Sequence, residues 1–89
     1  MIKFVVDIEK ELVAMGGEFH ADAEAMLLDE GSNQENIWGG NIYIDKTGKL
    51  RVEYTAMINI RPTANNRSML VEDEAVQKSM QRILDQLLS

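Results

Sequence analysis

His20, Asp22 and Glu24 stand at alternate positions in Glu18-Phe19-His20-Ala21-Asp22-Ala23-Glu24. One imidazole and two carboxylates are the ligand set of a divalent transition metal, or the parts of a general acid–base centre. On a strand the alternation sends all three to one side, with neighbours about 7 Å apart. On a helix His20 and Glu24 still meet at i, i+4. The competing reading is an ordinary solvated face lined with charges.

A second group lies in Arg61-Pro62-Thr63-Ala64-Asn65-Asn66-Arg67-Ser68. The guanidiniums of Arg61 and Arg67, the carboxamides of Asn65 and Asn66 and the Ser68 hydroxyl are suited to a small anionic ligand through paired contacts. The glycine spacing of a phosphate-binding loop is absent. The plainer use of the asparagines is to satisfy the loop's own backbone. Trp38, beside Gly39-Gly40, either anchors a loop on the core edge or stacks on a ligand. Asn41 and Asn59 are further polar candidates. No nucleophile-elbow pattern surrounds Ser32, Ser68 or Ser79.

The elements that must position these residues follow from periodicity. From Leu50 to Ile60 apolar residues hold the even positions, which predicts a strand running to Pro62, about 36 Å long, with a bend or bulge. Met1, Val5, Ile8, Leu12 and Met15 fall at helical spacing, which predicts an amphipathic helix over 1–15 stopped by Gly16-Gly17. Residues 18–28 have helix-forming composition but strand-like alternation, and the alternation favours a strand. Asn41–Asp45 reads as a short strand joined by the hairpin loop Lys46-Thr47-Gly48-Lys49 to the long one. Val76, Met80, Ile83, Leu84, Leu87 and Leu88 make one stripe of a last helix, with Asp73 as its N-cap. The expected architecture is α+β, a single domain over 1–89 in the order α-β-β-β-α. A three-stranded antiparallel sheet carries two helices packed on one face, over Leu50, Val52, Tyr54, Ile58 and Ile60.

Composition removes several classes. The 89 residues contain no cysteine, so disulfides, thiolate metal sites and cysteine nucleophiles are excluded. The formal charge of −6 argues against nucleic acid as a partner. That charge is unevenly spread: residues 1–35 net −7, residues 36–71 net +3 and the last eighteen −2. No apolar run approaches the roughly 20 residues that span a bilayer, and Asp7 interrupts the N-terminus too early for a signal peptide. A cytoplasmic location and no membrane partner are expected.

Gly16-Gly17-Glu18 leading into His20-Ala21-Asp22-Ala23-Glu24, Gly31-Ser32-x-Gln34, Trp38-Gly39-x-Asn41, Ile58-Asn59-Ile60-Arg61-Pro62 and Asn66-Arg67-Ser68 occur in this order over most of the chain. In these motifs the sequence resembles a small uncharacterised prokaryotic family of unknown function. The resemblance implies a bacterial or archaeal cytoplasmic protein. Relatives carry an extra segment before the first helix, whereas this chain starts in it.

Two functional expectations result. The first is a non-enzymatic binding or interaction module acting as a homodimer, because Met57 amid polar neighbours, with Met26 on the same side, suggests a sheet face covered by a second protomer. The second is a small metal-dependent or acid–base enzyme of hydrolase type, using His20, Asp22 and Glu24 with an anionic substrate held by Arg61 or Arg67. No cofactor is expected beyond such a divalent metal.

Overall fold

A computed structural model describes residues 1–88, with the side chains of residues 1–87. Its elements are β1 (Ile2–Asp7), β2 (Leu12–Met15), α1 (His20–Asp29), β3 (Ile37–Ile44), β4 (Leu50–Glu53) and α2 (Glu74–Leu88). Single 3-10 turns precede β3 and follow β4 at Met57–Asn59 and Pro62–Ala64. The α+β class agrees with expectation, but the sheet has four strands, all antiparallel, in the order β2-β1-β3-β4.

The first helix expected over 1–15 is a β-hairpin. Phe4, Val5 and Val6 are all fully buried, because β1 lies inside the sheet with a helix on each side. Burial on both faces fills consecutive positions with apolar residues, and helical spacing arose within that run by coincidence. The hairpin turns on Asp7, whose Oδ1 accepts the N–H groups of Glu9 at 2.9 Å and Lys10 at 3.0 Å. Gly16 and Gly17, both at positive φ, end β2 rather than a helix.

The strand expected over 18–28 is α1. Only Ala23 and Leu27 are buried in it, a helical i, i+4 pair, so the Ala-rich propensity prevailed over the alternation. The Asp22 carboxylate accepts the Phe19 N–H at 3.1 Å and caps its first turn. The long strand expected to Pro62 stops at Glu53. The parity survives at Ala56 and Met57 and then inverts: Ile60 is 43% exposed, whereas Asn59 is fully buried. Burial of a polar group with good partners competes with period 2 and wins there.

The helices cover opposite faces, not one. Val5, Ala14 and Ile37 pack with Ala23 and Leu27 of α1. Phe4, Val6, Trp38 and Ile42, which point the other way, pack with Met80, Ile83 and Leu84 of α2. Asp73 caps α2 as expected, its Oδ1 accepting the Ala75 N–H at 2.8 Å. Leu87 is exposed, and the Leu88 side chain lies outside the described residues. Among the described residues no helix is long and apolar enough to cross a membrane.

Adjacent glycines thin β3 from both sides. A Cβ on Gly40 would sit 2.6 Å from Phe4 Cζ and 2.5 Å from the Glu53 carbonyl oxygen. One on Gly39 would sit 2.9 Å from Ala56 Cβ. Gly40→Ala is expected to lose about 1–3 kcal/mol in urea denaturation through overpacking. An unchanged midpoint would contradict the contact.

Asp7 makes stability pH-dependent. Burial raises its pKa, but the Ser32 hydroxyl, the Lys10 and Glu9 amides and the Lys10 charge lower it further, leaving it below the ordinary 3.8. A depressed carboxylate stabilises the fold above its unfolded pKa, and that contribution disappears as pH falls through the folded one. The stability gap between wild type and Asp7→Asn is therefore expected to be full at pH 6 and to shrink below about pH 4. Denaturant titrations at both pH values measure it.

Candidate functional site

The site grows from the edge of β3 that β4 leaves open. β4 pairs with Ile44 back to Asn41 and goes no further. The Gly39 N–H and C=O then face Asn59, whose Oδ1 accepts at 2.8 Å and whose Nδ2 donates at 3.0 Å. One side chain thus completes the ladder in place of a strand. The same Nδ2 reaches the Met69 carbonyl at 3.0 Å. Asn41 Nδ2 donates to the Thr55 carbonyl at 3.2 Å, while its Oδ1 is buried without a partner.

Arg61 closes the next stretch. Its Nε donates to the Ile58 carbonyl at 3.2 Å and its Nη1 to the Glu35 carbonyl at 3.1 Å, while Nη2 donates to the Ile37 carbonyl. The guanidinium lies over the Trp38 ring, 4.3 Å from its centroid. Trp38 is thus a core residue serving as a platform, and its Nε1 is buried without a partner. Burial pushes the Arg61 pKa below its ordinary value, and the Glu24 carboxylate offsets part of this.

Asn66 organises the loop. Its backbone exchanges hydrogen bonds with Arg61, at 2.6 and 3.0 Å, and Asn65 takes the left-handed turn conformation. The Asn66 Nδ2 faces the carbonyls of Asn59, Ser68 and Leu70 at 2.7–3.0 Å, and its Oδ1 accepts the Glu72 N–H at 2.8 Å. Glu72 Oε2 accepts the N–H groups of Arg67 at 2.7 Å and Ser68 at 3.3 Å. The amides that an external anion would use here already hold an internal carboxylate. Arg67 is exposed.

Helix α1 separates the first group of candidates. His20 Nε2 lies 2.7 Å from the Gly40 carbonyl oxygen, so that nitrogen carries the proton and donates. Asp22, two residues on, is turned away and spent on the N-terminal cap. Glu24 faces the Arg61 end. Among the described residues no three His, Cys, Asp or Glu side chains are grouped to hold a metal ion.

What the fold does bring together is Glu24 with Arg61. They line a pocket of about 400 Å³ with Gln34, Glu35, Ile58, Ile60 and Thr63. Glu24 Oε2 is buried with no hydrogen-bond partner. Gln34, Ile58 and Ile60 carry no chemical signature in sequence, and Thr63 comes from the candidate loop. Their arrival depends on β4 ending early.

Fold and site together define a small α+β protein with a helix on each face of a four-stranded antiparallel sheet and a charged pocket at an irregular sheet edge. By its match to the family model over residues 1–87, the chain belongs to DUF5674, a family described as protein of unknown function. No curated protein and no solved structure matches it.

The two loop arginines should separate experimentally. Arg61→Ala strands three backbone carbonyls and is expected to cost about 2–4 kcal/mol by chemical denaturation. Arg67→Ala should stay within about 0.5 kcal/mol of wild type. Equal effects would show that the guanidinium contacts of Arg61 carry no weight.

Proposed function

We propose that this protein is a non-enzymatic binding and interaction module that acts as a homodimer. The supporting observation is the β2 edge. The Gly16 N–H bonds the Lys3 carbonyl at 2.9 Å, so by alternation Leu12 and Ala14 also turn their backbone groups toward β1. Those of Val13 and Met15 point outward. Leu12-Val13-Ala14-Met15 carries no charge, no proline and no bulge, the usual protections of an edge. Beside it Leu12, Val13, Ile83 and Leu87, with Glu11 and Gln86, line a groove of about 360 Å³.

The other edge strand differs: β4 carries Arg51 and Glu53, and the segment after it is covered by Met69–Val71. A second copy is the occupant that suits β2. A twofold axis at Ala14 sets Val13 opposite Met15 of the second copy, with no charge to repel. The proposed contact is an edge rather than a sheet face, since Met26 and Met57, exposed on α1 and on a 3-10 turn, do not share an open sheet face.

The enzymatic alternative through His20, Asp22 and Glu24 has less support, because His20 and Asp22 are engaged in backbone hydrogen bonds. Light scattering should give twice the 10.1 kDa chain mass at high micromolar concentration. Leu12→Lys should give the monomer mass while keeping the wild-type circular dichroism. A wild type that stays monomeric throughout defeats the dimer.

A further inference from the structure

The Glu24–Arg61 pocket sets one guanidinium beside two carboxylates, Glu24 and Glu35, and leaves part of the hydrogen-bonding capacity of Arg61 and Glu24 unused. Arg61 spends one N–H from each of its three nitrogens on carbonyls, so Nη1 and Nη2 each keep a second donor. Glu24 Oε2 is closed to solvent and unpartnered, which leaves Oε1, itself without a hydrogen bond, as the oxygen a ligand can reach, and the carboxylate acts electrostatically on Arg61. A charged N–H donor bound to that oxygen makes a charge-assisted hydrogen bond. The pocket volume, about 400 Å³, falls within the small-ligand range of about 300–1,000 Å³.

These features discriminate among ligand classes. A simple anion meets the Arg61 donors but is repelled by Glu24 and Glu35 and leaves the Glu24 carboxylate without a donor. A simple amine answers the carboxylates but is repelled by the guanidinium and leaves its spare donors unused. A molecule carrying an ammonium and a carboxylate on neighbouring atoms satisfies both and brings no net charge into a half-buried place. Ile58 and Ile60, the latter 43% exposed, offer apolar contact to an aliphatic substituent. The geometry points to a site for the zwitterion of an aliphatic α-amino acid, its ammonium on Glu24 and its carboxylate on the spare donors of Arg61. This names a ligand class for the binding-module reading, and it does not depend on the dimer.

The test is a titration of the isotopically labelled protein with L-isoleucine, followed by amide NMR. Saturable shifts are expected at Glu24, Ile58 and Arg61. 3-Methylpentanoate, which lacks the ammonium, and 2-methylbutylamine, which lacks the carboxylate, should each bind at least about tenfold more weakly, because each loses a charge-assisted contact. Arg61 also holds the loop, so Glu24→Gln is the variant of choice: its Oε2 bonds no other group of the fold, and the melting temperature should be retained. Its affinity should drop at least about tenfold. Absence of saturable shifts, equal binding by either analogue, or unchanged affinity in Glu24→Gln overturns the proposal. Light scattering on the same samples keeps this result separate from the oligomeric state.

Discussion

Past Glu53 the chain abandons the strand, and the backbone of β3 from Gly39 to Ile37 must be hydrogen-bonded by something else. A buried peptide group left unpaired costs about 1–3 kcal/mol, so this edge constrains everything around it. Asn59 answers with a side chain that presents the same donor and acceptor as a peptide unit. Arg61 takes the Ile37 carbonyl, and Asn66 holds the loop that presents them both. Gly39 belongs to the same solution, since only a hydrogen in place of Cβ admits Ala56, Ile58 and His20 so close.

Residues with functional chemistry are therefore put to structural use over much of this surface. His20, Asp22, Asn59 and Asn66 each bind backbone, and Glu72 occupies the amides of Arg67 and Ser68. Arg61 does both jobs. Its outer nitrogens serve the sheet edge and the pocket at once, which ties the shape of the pocket to the integrity of the edge.

The α+β class, helix α2 with its Asp73 cap, and the hairpin between β3 and β4 were legible in the residue pattern. Each rests on local rules of period, capping and turn chemistry. The first hairpin and α1 were misread for opposite reasons. In Phe4-Val5-Val6 two-sided burial erased the alternation of a strand, while in Phe19–Leu27 alanines mimicked one. Glu24 and Arg61 were legible as members of one candidate site, but not the separation of His20 and Asp22 from them, because that sorting depends on α1 being a helix. A carboxylate lodged on backbone amides, as Glu72 is, leaves no mark in a sequence at all.

The charge gradient along the chain falls outside the strands. Residues 1–35, net −7, supply β1, β2 and α1, while residues 36–71, net +3, supply β3, β4 and the loops that follow. Each of the four strands carries no net charge of its own, so the imbalance sits on α1, with Asp22, Glu24 and Asp29, and in the loops. Two copies joined at β2, as proposed, would meet along an edge with no charge to screen, so added salt would leave that contact nearly unchanged.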